Sequence, residues 1–173
     1  RAVRRAEAAI LAEEETRAYL GFTGDPAVTA AMAEAVLGPG LAAEATGCPT
    51  TGGTGALFAL GRLAALGRVG ARIWLPEPTW INHASLLTAA GLTPASYPWL
   101  DDAGRELDFE AAMAALGQVP AGDLVMLHAC CHNPSGADPD AEGWARIGAL
   151  AAERGWVPFF DVAYPGLGRG WEA

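Results

Sequence analysis

DLVMLHACCHNPSG, residues 123–136, starts as a buried strand should and ends in polar and titratable side chains. An apolar run from Leu124 to Leu127 leads into His128, Cys130, Cys131, His132 and Asn133, and Pro134-Ser-Gly then breaks the chain. A short run that is apolar at successive positions, without alternation, suits a strand covered on both faces. Two further stretches have the same form. ARIWLP (71–76) runs into Glu77-Pro-Thr-Trp80, and WVPFFDV (156–162) delivers Asp161 and, just after it, Tyr164. TPASYP (93–98) reads as a shorter strand. Helical patterns separate them: Trp80 to Ala90, Phe109 to Leu116 and Ala141 to Arg154. This alternation predicts an α/β fold, a mostly parallel sheet covered by helices on both faces. Ligands of such sheets sit beyond the carboxyl ends of the strands. The ends at Pro76–Trp80, His128–Asn133 and Asp161–Tyr164 are therefore predicted to meet in one polar crevice.

Upstream, residues 2–18 read as an amphipathic helix with a Glu-rich outer face. A second helix is predicted from Pro26, with Asp25 as N-cap and Gly38-Pro39-Gly40 as its stop. Residues 41–51 are weakly patterned, and Gly52-Gly-Thr-Gly55 opens a helix over about 54–67. Residues 101–106 read as a surface turn. The division predicted is an N-terminal helical segment, 1–40, leading into the first part of a larger domain, 41–173. Arg1 enters a helix directly and GLGRGWEA closes nothing, so a piece of a longer protein is expected.

Composition narrows the function. The chain is 51% hydrophobic and 18% charged, with a formal charge of −9, and all 11 of its bases are arginine. An acidic surface lacks the basic footprint of nonspecific nucleic-acid binding. No apolar run approaches the ~20 residues of a membrane helix. Cys48, Cys130 and Cys131 form no disulfide framework and suit reduced thiols in a cytoplasmic protein. Adjacent cysteines in an extended strand point to opposite faces, so no metal site is predicted at Cys130 and Cys131.

Single motifs leave alternatives open. The Gly53-Thr54 helix start presents backbone N–H groups to an anion, yet is equally readable as a tight turn. It is not a dinucleotide fingerprint, because Phe58 stands at the third glycine position, and no lysine follows to make a P-loop. Asp161 either caps a turn or meets a cation; Trp80 and Tyr164 are site aromatics or core.

Taken together, YLGFTGDP (19–26), GGTGAL, PEPTWINH, HACCHNPSG and FFDVAYPG resemble the class I pyridoxal-phosphate aminotransferases, and within them the aspartate/aromatic branch. The resemblance spans the whole chain and implies the large domain of the fold type I transferases. It implies pyridoxal 5'-phosphate as cofactor, with Gly53 and Thr54 on its phosphate and Trp80 stacked on its ring. Asn133 and Tyr164 would hold the ring 3-oxygen, Asp161 would pair with the ring nitrogen, and His128 would stand behind Asp161 and orient it. Tyr19 would reach the phosphate of the neighbouring subunit, which makes a homodimer the expected partner state. Amino acid and 2-oxo acid would be the substrates, with no metal. The family's Schiff-base lysine is expected beyond residue 173, so these residues alone are expected to be inactive. Another reaction of the same fold, a lyase or decarboxylase, and a non-catalytic binding module remain as alternatives.

Overall fold

The structure, a computed structural model, describes all residues except 17, 69, 71, 169 and 171–173. The chain divides into two compact units, Arg1–Pro49 and Thr50–Ala173.

The first unit holds α1 (Ala2–Glu13) and α2 (Pro26–Ala42). The helix predicted over 2–18 stops at Glu13, where Glu14 turns extended (φ −74°, ψ 110°). Glu13, Glu14 and Glu15 crowd the negative end of the helix dipole, and the last turn itself carries no base. Arg17, at the end of the predicted helix, lies outside the described residues. α2 begins as expected: the Asp25 carboxylate accepts from the Ala27 N–H at 2.8 Å, and Pro26 takes the first turn. Its predicted stop is a kink instead. Gly38 takes φ 74°, which interrupts the helix, and a further turn runs from Pro39 to Ala42. Tyr19 and Phe22, between the helices, are fully exposed.

The second unit contains α3 (Gly52–Gly67), β1 (Arg72–Glu77), α4 (His83–Ala90), β2 (Thr93–Pro98), α5 (Phe109–Leu116), β3 (Leu124–His128), α6 (Ala141–Arg154) and β4 (Val157–Asp161). The strands form a sheet of order β2-β1-β3-β4, parallel at every pairing. From β1 the chain passes outward to β2 and then back across to β3. The strand order therefore reverses between β1 and β3, which opens a crevice at their carboxyl ends. The register puts His128 directly beside Asp161.

Every residue of β3 is buried, and successive side chains enter different cores. Val125 and Leu127 pack with Ala112 and Leu116 of α5 and Ile147 and Ala151 of α6. Leu124 and Met126 pack with Leu57 of α3, Leu87 of α4, and Ile73 and Leu75 of β1. The unalternating apolar run thus has the predicted cause: both faces of the sheet are covered. Helix bounds follow local chemistry. Asp108 and Asp140 cap α5 and α6 by accepting from the Ala111 and Gly143 N–H groups, and Gly155 ends α6 at φ 74°. α4 starts three residues later than predicted. The Trp80 carbonyl accepts from the His83 N–H at 2.9 Å, so residues 80–83 form a turn before the helix.

Candidate functional site

A cavity of about 270 Å³ lies where the strand ends meet, lined by Gly53, Thr54, Leu57, Trp80, His128, Cys130, Cys131, Asn133, Asp161, Ala163 and Tyr164. Every residue of the second unit singled out for a cofactor contact lines it. Tyr19 belongs to the first unit, and its exposed side chain is described only there.

The start of α3 forms one wall. Its first turn has N–H groups with no intrahelical partner, as any helix start does. α2, α5 and α6 satisfy theirs with an aspartate, but the N-cap of α3, Thr51, makes no side-chain capping bond. Nothing stands within 4 Å of where a Gly53 side chain would begin. The Gly53 and Thr54 donors are thus left to whatever enters the cavity.

Behind the opposite wall runs a chain of hydrogen bonds. The Asn133 N–H donates to His128 Nδ1 (3.0 Å), His128 Nε2 meets Thr79 Oγ1 (3.2 Å), Thr79 Oγ1 meets His83 Nδ1 (2.7 Å), and His83 Nε2 meets Asp161 Oδ2 (3.1 Å). The peptide N–H fixes its direction. His128 Nδ1 must be a bare acceptor, so the neutral ring carries its proton on Nε2 and gives it to Thr79. The threonine hydroxyl then donates to His83 Nδ1, which leaves the His83 proton on Nε2, facing the carboxylate. Burial, with the neighbouring His132 and His83, pushes the His128 pKa down to about 3, so this ring is neutral near pH 7.

The ring that bonds Asp161 is His83, which is wholly buried; His128 reaches the carboxylate at one remove, through Thr79 and His83. His83 and Thr79 were not singled out in the sequence. The available signal was a histidine four residues after Thr79, opening a helix whose other residues are small or apolar.

The rings also stack. Trp99 lies on His132 (centroids 5.0 Å apart), His132 on His128 (4.4 Å), and His128 meets His83 and His83 meets Trp80 edge to face (5.1 and 5.3 Å). This column joins the α5/α6 core to the cavity and leaves Trp80 little freedom to turn. His132 is buried, and burial is the main cause that takes this ring's pKa down to about 4.

The 129–136 loop carries a correction. Cys130 and Cys131 do not point to opposite faces as they would in an extended strand. β3 ends at His128, and Cys131 takes the left-handed conformation (φ 52°), so both cysteines line the same cavity. The Asp138 carboxylate secures this bend, accepting from the Cys131 and His132 N–H groups at 2.6 and 2.8 Å. The Cys130 thiol donates to the Tyr164 carbonyl at 3.3 Å.

An anion-ready helix start, a fixed indole, an amide, a phenol and a carboxylate thus surround a space of small-molecule size. The family model described as "Aminotransferase class I and II" matches residues 1–173. An aspartate aminotransferase of Salmonella typhi is 43% identical, over 98% of this chain and 44% of its own length. An aromatic-amino-acid aminotransferase of Paracoccus denitrificans is 41% identical, over 99% and 44%. The crystal structure of an aromatic-amino-acid aminotransferase from Burkholderia pseudomallei, covalently bound to pyridoxal phosphate, superposes with a TM-score of 0.93 at 35% identity, over 99% of this chain and 44% of that one. The chain thus spans less than half the length of these relatives. No helix among the described residues is long and apolar enough to cross a membrane. By sequence along its whole length, and by the fold that builds its cavity, the chain belongs to the class I and II aminotransferase family.

Proposed function

We propose that this chain forms the cofactor-binding part of an amino acid aminotransferase, which moves an amino group between aspartate or an aromatic amino acid and a 2-oxo acid. The observation that carries the reading is the convergence of the uncapped α3 start, Trp80, Asn133, Tyr164 and Asp161 on one cavity. These residues fit pyridoxal 5'-phosphate: a phosphate suits the free N–H groups of Gly53 and Thr54, and a flat ring suits the indole face. Bound there, the cofactor supplies an electron sink for negative charge developing at the substrate α-carbon.

The chain's own residues do the rest. Gly53 and Thr54 anchor the phosphate end, and Trp80 covers the ring and excludes water from it. Asn133 and Tyr164 donate to the ring oxygen. Asp161 would face the ring nitrogen and favour its protonated form, oriented by the N–H of His83. Tyr19 serves the phosphate of a partner subunit in a cytoplasmic homodimer. The 173 residues include no lysine, so the amine that tethers the cofactor and carries the α-proton is not among them. Alone, these residues do not transaminate.

The test is Asp161→Ala, made in the protein that carries this chain together with its lysine. Turnover is expected to fall by orders of magnitude while the cofactor stays bound through its phosphate. Near-normal turnover sinks the assignment.

A further inference from the structure

The left-handed bend at Cys131 creates a feature that the aminotransferase reading does not use. Two thiols, adjacent in sequence, share one cavity wall, both partly exposed and neither in a disulfide. As sequence neighbours lining the same cavity, they offer two sulfurs to one ligand. A strand would have sent them to opposite faces; here the Asp138 carboxylate holds the backbone that brings them together. Cys131 also borders a second hollow, of about 350 Å³, with His132, Pro134 and Leu167, so this thiol can be approached from a second side.

We propose that Cys130 and Cys131 form a dithiol site for trivalent arsenicals, a class of ligand that requires two neighbouring sulfurs. The reaction is a condensation without redox change. An arsine oxide, R–As=O, meets two S–H groups; two As–S bonds form, both As–O links break, and the two thiol protons leave with the oxygen as water. Burial and the neighbouring Cys131 and Asp138 raise the Cys130 pKa, which keeps its proton on and disfavours oxidation or alkylation through the thiolate. Condensation is not blocked in this way, because the thiol proton departs in the product water. Condensation gives up the Cys130 hydrogen bond to the Tyr164 carbonyl. Cys48, in the other compact unit, has no adjacent cysteine and can make only a single, readily exchanged As–S bond. The proposal stands on the two thiols alone and not on the cofactor reading.

The experiment treats the folded chain with phenylarsine oxide and measures intact mass. The expected product is one adduct per chain, heavier by the reagent less one water. It should survive on the order of a hundredfold more monothiol than a single-point adduct, the low end of the gain from a second, intramolecular attachment. A dithiol such as 2,3-dimercaptopropanol should remove it. Iodoacetamide applied afterwards in alkaline denaturant should label Cys48 and spare Cys130 and Cys131, whereas the untreated chain under the same conditions labels all three, a readout that needs no variant. Cys48→Ser should keep the adduct, and Cys130→Ser, with circular dichroism unchanged, should lose the resistance to monothiol. Labelling of Cys130 and Cys131 after arsenical treatment, loss of the adduct in Cys48→Ser, or equal retention by Cys130→Ser each overturns the proposal.

Discussion

Thr79 is the one hydroxyl between two buried imidazoles, and Thr79→Val removes it while keeping the side chain's shape. Thr79 accepts from His128 Nε2–H and donates to His83 Nδ1, so valine leaves a buried donor and a buried acceptor unpaired. His83 is 0% exposed and His128 4%. An orphaned buried group costs about 1–3 kcal/mol. Thr79 itself is only part-buried, which lets water repair some of the loss, so the sum is expected near the low end, about 2–3 kcal/mol. The rings cannot escape by changing tautomer: moving the His83 proton to Nδ1 would aim a lone pair at the Asp161 carboxylate, and moving the His128 proton would aim N–H at N–H. Urea unfolding measures the cost, with Thr79→Ser as the control that keeps the hydroxyl and should lose under about 1 kcal/mol. Two-bond ¹H–¹⁵N spectra read the tautomers directly, and both histidines should carry their proton on Nε2. A His128 proton on Nδ1, or a valine variant as stable as the parent, refutes the relay.

Acid should destabilise the fold through His128 and His132. Their folded pKa values, about 3 and about 4, lie below the ordinary 6.5, so the unfolded chain binds more protons between those limits and stability falls as pH drops through that window. Urea midpoints recorded across the window should decline with acid, and a flat profile contradicts the buried neutral rings. Asp138→Ala removes the acceptor of two N–H bonds at a strained bend and should cost about 2–4 kcal/mol in the same assay. Trp80→Ala and Thr54→Ala should each weaken pyridoxal phosphate retention in the complete enzyme, by about 1–2 kcal/mol for the ring contact and about 1.5–3 kcal/mol for the phosphate bond; equilibrium dialysis decides, and unchanged retention by both places the cofactor elsewhere. Borohydride reduction of the 173-residue chain with pyridoxal phosphate should give no specific adduct within residues 52–164, since no lysine is present there.

Elements bounded by an aspartate cap could be read from the sequence with little error: α5 and α6 run as predicted because Asp108 and Asp140 consume the first free N–H groups at their starts. The run Leu124–Leu127 told of two covered faces because no polar residue interrupts it. What stayed hidden were choices made by the backbone between elements. Nothing in PEPTWINH says that the helix waits for a turn at Trp80–His83, and so nothing there separates His83 from the helix's ordinary buried residues. The direct partner of Asp161 went unnamed for a related reason. His128 sits beside Asp161 in the sheet register, yet adjacent parallel residues need not aim their side chains at each other, and a ring from another element took the bond. The cysteine pair failed on one dihedral angle, φ at Cys131, which no local sequence rule makes left-handed.

The hydrogen bond from His83 to Asp161 closes a span of 78 residues, and Thr79 to His128 closes one of 49. Contacts of such sequence separation carry the largest chain-entropy cost and form late, after local helices and nearest-neighbour strand pairs have shortened the path between them. Asp161 is the last residue of the last strand, held in the sheet by β3 alone among the described residues. As the chain emerges during synthesis, the phosphate-ready helix start, the indole and the ring stack are all present before the one carboxylate that gives the cavity its charge. The cavity acquires its electrostatic character only when β4 docks, which makes His83–Asp161 a reporter of β4 docking.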